Sequence, residues 1–94
     1  MSPSADALRL DKWLWFARFC KTRSLAAELV AAARVRVNGA PVSKPARTVA
    51  PGDVLTLPAD GTIRVVRIVA LGTRRGPASE AAALYVEIGT PPAP

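Results

Sequence analysis

Histidine is absent from the 94 residues, which removes the side chain that most often serves as a general base near neutral pH. Cysteine occurs once, at Cys20, so no internal disulfide can form. With no histidine beside it, that thiol cannot build a structural zinc site either. A lone thiol fits a reducing compartment, and the cytoplasm is the expected location. No run reaches the 18 or so apolar residues of a membrane span, and Met1 to Ala5 lack the basic-then-apolar order of a secretory signal. Glycines such as Gly72 and Gly76 are isolated turn residues, so there is no phosphate-cradling loop. Aromatic residues make up 5% of the chain, which leaves the core to aliphatic side chains. The length fits one small domain with a thin stability margin and no separate catalytic domain. These absences predict a protein without catalysis, cofactor, metal or membrane.

Basic residues are what the chain has in excess. Thirteen Lys and Arg stand against seven Asp and Glu, a net charge of +6. The surplus is concentrated. Arg9, Lys12, Arg18, Lys21, Arg23, Arg34, Arg36, Lys44 and Arg47 face only Asp11 and Glu28, whereas four basic and three acidic residues follow Pro58. A concentrated positive patch on a small domain, with no membrane-type amphipathic helix, favours a nucleic-acid partner over an acidic lipid surface.

The periodicity predicts an α+β chain. Leu10, Trp13, Leu14, Ala17 and Cys20 recur at helical spacing, which makes Cys20 a packing residue rather than a nucleophile. Asp11 is the expected N-cap, with a hydrophobic staple between Leu10 and Trp15. Lys21-Thr22-Arg23 breaks the pattern, and Thr22 caps a second helix whose apolar face holds Leu25, Ala26, Leu29, Val30 and Ala33. The period then shortens to two. Val35-Arg36-Val37 runs into Asn38-Gly39, a strong hairpin-turn signal, and Pro41 marks the return limb as an edge. Pro51-Gly52-Asp53 turns into a strand from Val54 to Leu57, and Asp60-Gly61 into a strand from Thr62 to Leu71. Thr73 to Pro77 reads as a basic loop, and Ser79 as the cap of a short helix from Glu80 to about Tyr85. Residues 1–8 read as a flexible end and 89–94 as a disordered Pro-rich tail.

Four motifs in order carry a resemblance: Arg-Leu-Asp-Lys-Trp-Leu at Arg9 to Leu14, Lys-Thr-Arg-Ser-Leu-Ala at Lys21 to Ala26, Val-Arg-Val-Asn-Gly at Val35 to Gly39, and Pro-Gly-Asp-Val-Leu at Pro51 to Leu55. Together they resemble the RNA-binding domain first described in ribosomal protein S4, over residues 9–57. Residues 58–88 then read as an added strand, basic loop and short helix. Arg74 to Tyr85, with the Trp13-Leu14-Trp15 helix, is similar to the bacterial heat-shock protein 15 family. That resemblance implies an S4-like (αL) fold, two N-terminal helices packed on a small antiparallel sheet. It further implies a ribosome-associated protein that binds ribosomal RNA on free large subunits carrying a stalled nascent chain on transfer RNA, and that aids recycling after heat stress. Family members usually continue into a long basic extension, whereas this sequence ends in a Pro-rich run at Pro94.

The binding chemistry can be argued without the family. Phosphates supply most of the affinity for RNA, so cations must project from fixed positions. Arg18, Lys21 and Arg23 sit near one corner at the helix connector, where Thr22 adds a hydroxyl, and Arg9 and Lys12 join them as candidates. Lys44 and Arg47 form a facing wall, and Arg34 completes the candidate set. Amides at the second helix's N-terminus also attract phosphate. Lys21 and Arg23 lie in an exposed break, so replacing them should leave the core untouched, while Arg64 and Arg67 read as solvated surface charge. Trp15 and Phe19 are one turn apart, and packing under Leu84 and Tyr85 is favoured over base stacking. A monomer is expected. Two rivals stand: an RNA-binding fragment of an RNA-modifying enzyme or tyrosyl-transfer-RNA synthetase, and a protein-protein adaptor.

Overall fold

The computed structural model describes residues 7–89. Helices α1 (Leu10–Phe16) and α2 (Arg23–Ala31) come first, after a two-residue strand β1 (Leu8–Arg9). Strands β2 (Val35–Val37), β3 (Ala40–Val42), β4 (Thr48–Val49), β5 (Val54–Ala59) and β6 (Thr62–Ile68) follow, then α3 (Ala78–Ala82) and β7 (Tyr85–Glu87). The main sheet is antiparallel throughout, in the order β3-β2-β5-β6-β7, while β1 pairs with β4 in a separate two-stranded ribbon. This is the α+β arrangement expected, two helices packed on one face of a small antiparallel sheet.

Alternation explains which face is covered. Val35 and Val37 of β2, Leu55 and Leu57 of β5, and Val66 and Ile68 of β6 are all buried, and they meet Leu10, Trp13, Leu14, Ala26 and Val30 from the helices. Arg36 and Arg67, on the opposite parity, are exposed. Trp13 is fully buried at the centre, where its indole Nε1 donates to the Ala70 carbonyl at 3.0 Å.

Two sequence motifs prove to be one structural unit. Asn38 and Gly39 both adopt positive φ (52° and 86°), the backbone of a tight hairpin between β2 and β3. The Asn38 amide Nδ2 donates to Asp53 Oδ1 at 3.1 Å, and its Oδ1 accepts from the Val54 amide at 2.9 Å. Asp53 Oδ2 also accepts from the Ala50 amide at 2.9 Å. The Asn-Gly turn is thereby stitched to the Pro-Gly-Asp turn that launches β5.

Several local expectations are corrected. Asp11 is not the N-cap: Arg9 precedes the helix, Leu10 is its first residue, and the Leu10–Trp15 staple loses its register. Helix α1 stops at Phe16 rather than running to Cys20, because Arg18 turns into the left-handed region at φ 64°. The Arg18 amide then bonds Trp15 O and the Phe19 amide bonds Leu14 O, a Schellman ending. Helix α2 ends the same way at Ala33 (φ 60°), so Ala33 leaves the apolar face, and Leu25 is 49% exposed. Thr22 does cap α2, accepting from the Leu25 amide at 3.0 Å. Strand β6 closes at Ile68, and α3 begins at Ala78 after Pro77, with no side-chain cap from Ser79. Tyr85 belongs to strand β7 rather than to a helix end. Leu8 is not frayed but pairs with Val49. The rest of the expected flexible N-terminus before Ala7, and the expected tail after Gly89, lie outside the described residues.

Two of the positive-φ positions, Ala33 and Asn38, predict opposite outcomes. At Ala33 the left-handed backbone costs an L-residue about 1–2 kcal/mol, so Ala33→Gly should raise stability by up to ~1 kcal/mol and the melting temperature by a few degrees. At Asn38 the side chain compensates for the same backbone. Asn38→Ala should therefore cost about 1–3 kcal/mol, read by thermal or urea denaturation.

Candidate nucleic-acid interface

A buried acid organises the basic corner. Asp11 is only 3% exposed, in the first turn of α1, where a carboxylate complements the helix N-terminus. Its Oδ1 accepts from the Lys12 amide at 2.8 Å and from Arg9 Nε at 3.1 Å, while Arg9 Nη2 reaches Oδ2 at 2.9 Å. That fork raises the Arg9 guanidinium above its ordinary range, chiefly through the hydrogen bond. Arg23, the first residue of α2, approaches the same oxygen from the other helix, Nε 3.8 Å from Oδ2. One carboxylate thus ties the starts of both helices together.

The facing wall is attached to the same point. The Leu10 amide donates to Arg47 O at 2.8 Å and the Asp11 amide to Pro45 O at 3.3 Å, so the loop between β3 and β4 is stitched to the start of α1. An open groove of about 470 Å³ runs along this loop, lined by Val42, Ser43, Lys44, Ala46 and Arg47. Lys44, Arg47, Lys21 and Thr22 are all exposed. Lys21 and Lys44 take part in no ion pair among the described residues.

Not every candidate joins this corner. Arg34 lies past the other end of α2, a helix about 14 Å long, where its amide closes the Schellman ending on Leu29 O. Lys12 stands over the Phe16 ring at 5.5 Å. Arg18 is committed internally, Nε donating to Gly76 O at 2.7 Å. Arg23 is less free than its place in an exposed break suggested, because a reversed charge there would face Asp11.

Arg64 corrects the expectation of solvated surface charge. It stands 5.2 Å from the Phe19 ring and 5.9 Å from that of Tyr85, and pairs with Glu87 and Asp60. The hydrogen bond between Arg64 and Glu87 raises the guanidinium and lowers the carboxylate from their ordinary ranges. Arg67 remains exposed, as expected. The aromatic pair divides. Phe19 packs on Tyr85 at 4.8 Å and on Trp13 at 6.0 Å, as the packing reading has it, whereas Trp15 is partly buried beneath Arg75, whose guanidinium lies 5.8 Å from its ring. Arg75 is not among the cations singled out from the sequence, yet it meets the end of α1, its Nε donating to Trp15 O at 3.1 Å. The only signal for it in the sequence is the basic loop Thr73 to Pro77, which says nothing of a partner 60 positions away.

A helix pair packed on a small antiparallel sheet is the S4-like arrangement, and the S4 domain family matches residues 8–55. Over 83 residues the chain is 49% identical to heat shock protein 15 of Escherichia coli K12, covering 88% of this chain and 62% of that protein. It is 40% identical over 80 residues to the Haemophilus influenzae homolog of heat shock protein 15, covering 85% of this chain and 60% of that protein. A solved structure of Vibrio cholerae heat shock protein 15, described as trimeric, superposes with a TM-score of 0.82 at 41% identity, covering 87% of this chain and 82% of that one. The chain belongs to the S4-domain heat shock protein 15 family. It spans about three fifths of the length of the curated relatives it matches.

These ion pairs can be tested one at a time. Asp11→Asn removes the charge that holds Arg9 and Arg23 and complements the helix, so thermal melting should show a loss of roughly 1 kcal/mol. For Glu87 the folded-state value is depressed, so its stabilisation is present above the ordinary carboxylate range and lost as pH falls through the lowered value. The stability gap between wild type and Glu87→Gln should be full at neutral pH and should close on acidification, as followed by denaturant melts across pH.

Proposed function

We propose that this protein is a non-catalytic RNA-binding protein of the cytoplasm that grips structured ribosomal RNA at the corner between α1, α2 and the β3–β4 loop. The observation that carries this reading is the junction at Asp11. There the helix connector, with Lys21, Thr22 and Arg23, and the loop bearing Lys44 and Arg47 are fastened to one point. Lys21 and Lys44 keep their charge uncommitted, and the Thr22-capped start of α2 adds amides that favour phosphate. Fixed cations on two walls suit the backbone of a folded RNA, which is recognised mainly by shape and phosphate. In this reading the target is the large ribosomal subunit carrying a stalled nascent chain, with transfer RNA as a further contact, and the role is recycling under heat stress. Family membership supports this assignment.

All the cations of the corner come from one chain, so a monomer suffices for the grip. A second reading, association through the sheet, is favoured by the exposed side chains Ile63 (51%), Val86 (48%) and Ile88 (42%) and by the trimeric description of the Vibrio relative. Sedimentation of the free protein distinguishes the two.

The binding test uses Lys21→Glu with Lys44→Glu, since neither residue holds the fold. Affinity for a ribosomal RNA fragment and for purified large subunits should drop at least tenfold at unchanged melting temperature. The log-log salt dependence should flatten by roughly 0.7–0.9 for every phosphate that is no longer neutralised. The matched control is Arg36→Glu with Arg67→Glu, the same charge change on the sheet face away from the helices. Equal weakening by both pairs would mean that long-range charge alone explains the affinity, and the corner reading would fall.

A further inference from the structure

Beyond the S4 domain, the basic loop after β6 is clasped to the end of α1 by two reciprocal bonds. Arg18 reaches across to Gly76 O at 2.7 Å, and Arg75 Nε reaches back to Trp15 O at 3.1 Å. The clasp leaves a continuous ladder of charge and ring. Arg75 stands over Trp15 at 5.8 Å, Trp15 lies beside Phe16 at 5.8 Å, and Lys12 stands over Phe16 at 5.5 Å. Arg74 projects at the edge with its side chain 68% exposed, paired only with Glu80, itself 52% exposed. Such an exposed pair contributes little and yields readily to a stronger anion.

We propose that Trp15 and Arg75 form an accessory site for an unpaired nucleotide next to the structured RNA held at the corner. The base stacks on the indole and guanidinium planes, and Arg74 and Lys12 meet the flanking phosphates. The proposal rests on the RNA reading above and adds a surface that is completed only by the loop following the S4 domain, which brings Arg74 and Arg75 to Trp15 and Lys12 of α1. Three features favour this ligand. Arg75 spends Nε on the helix carbonyl, while its two terminal nitrogens make no bond among the described residues, so the guanidinium is held in place yet keeps donors free. Trp15 is partly exposed, whereas Trp13 is fully buried and Phe19 lies against Tyr85. A ring flanked by cations suits a splayed-out base, because bases inside a duplex are already stacked and out of reach.

The test compares a blunt RNA hairpin with the same hairpin carrying a single-stranded tail of about four nucleotides. The intact chain should bind the tailed form roughly 5- to 100-fold more tightly, the range expected for stacking one base. Trp15→Leu, which keeps apolar volume, should erase that advantage without changing affinity for the blunt hairpin, and Arg74→Gln should reduce it. Since Trp13 is fully buried, acrylamide quenching reports Trp15, and only the tailed RNA should protect it. No advantage for the tail, or equal weakening on both hairpins, would reduce the cluster to a structural clasp. Should Trp15→Leu not fold, Arg74→Gln and quenching of the wild type decide the matter. If the wild type binds neither hairpin, the RNA reading itself fails. If it binds the blunt form with no preference for the tail, only the accessory site does.

Discussion

A helix of seven residues cannot sustain itself in water, so everything at the candidate interface depends on how α1 is held. Three anchors hold it. At its start Asp11 binds Arg9 and Arg23, and backbone bonds draw in the loop before β4. At its middle Trp13 is buried in the core and bonded to Ala70. At its end Arg18 donates to Gly76 O in the loop before α3, and Arg75 of that loop donates to Trp15 O. Each anchor joins α1 to a segment distant in the chain, and the first and last bring cations with them. The basic surface is thus a by-product of fastening a short helix.

The fate of the acids shows why a net charge of +6 understates the local field. Among the described residues, Asp11, Asp60, Glu80 and Glu87 are all paired with arginines, and Asp53 is bound into the turn with Asn38 and Ala50. Only Glu28 has no such partner there. The acids therefore pair with arginines, Arg9 and Arg23 at Asp11, Arg64 at Asp60 and Glu87, and more loosely Arg74 at Glu80, and leave Lys21, Lys44 and Arg47 facing solvent. Concentrating unpaired cations in this way raises the potential where a polyanion would dock.

What could be read in advance follows from the range of the interactions. The Asn38-Gly39 turn, the Thr22 cap and the alternation in β2, β5 and β6 are decided by residues a few positions apart, and they were legible. The end of α1 was not. Its apolar spacing continues to Cys20, and the turn at Arg18 is made by a residue with no intrinsic preference for positive φ, held there by its bond to Gly76 58 positions away. The helix expected to run to Tyr85 failed for a similar reason. The alanine run favours helix locally, but Tyr85 pairs with Ile68 on the sheet edge and packs on Phe19. Among the cations, which are free and which are committed was not legible, since the candidate Arg18 and the surface-read Arg64 both take partners from elements that follow the S4 domain.

That division constrains how the domain and its appended segment can vary. Residues after β5 supply β6 to the sheet, Tyr85 and Glu87 to the cover over Phe19, and Arg75 to the end of α1. Much of what fixes the helix pair therefore lies outside the matched domain. Removing the segment would release the Arg18 end of α1, expose Trp13 and Phe19, and leave the Asp11 junction as the remaining anchor. The cations of the corner would persist in sequence but lose the fixed spacing that makes two walls of a groove out of separate charges. On the reading proposed above, RNA affinity and the packing of the segment after β5 should be thermodynamically linked. A phosphate backbone bound at the corner would stabilise the helix geometry, and that geometry is held at one end by the appended loop.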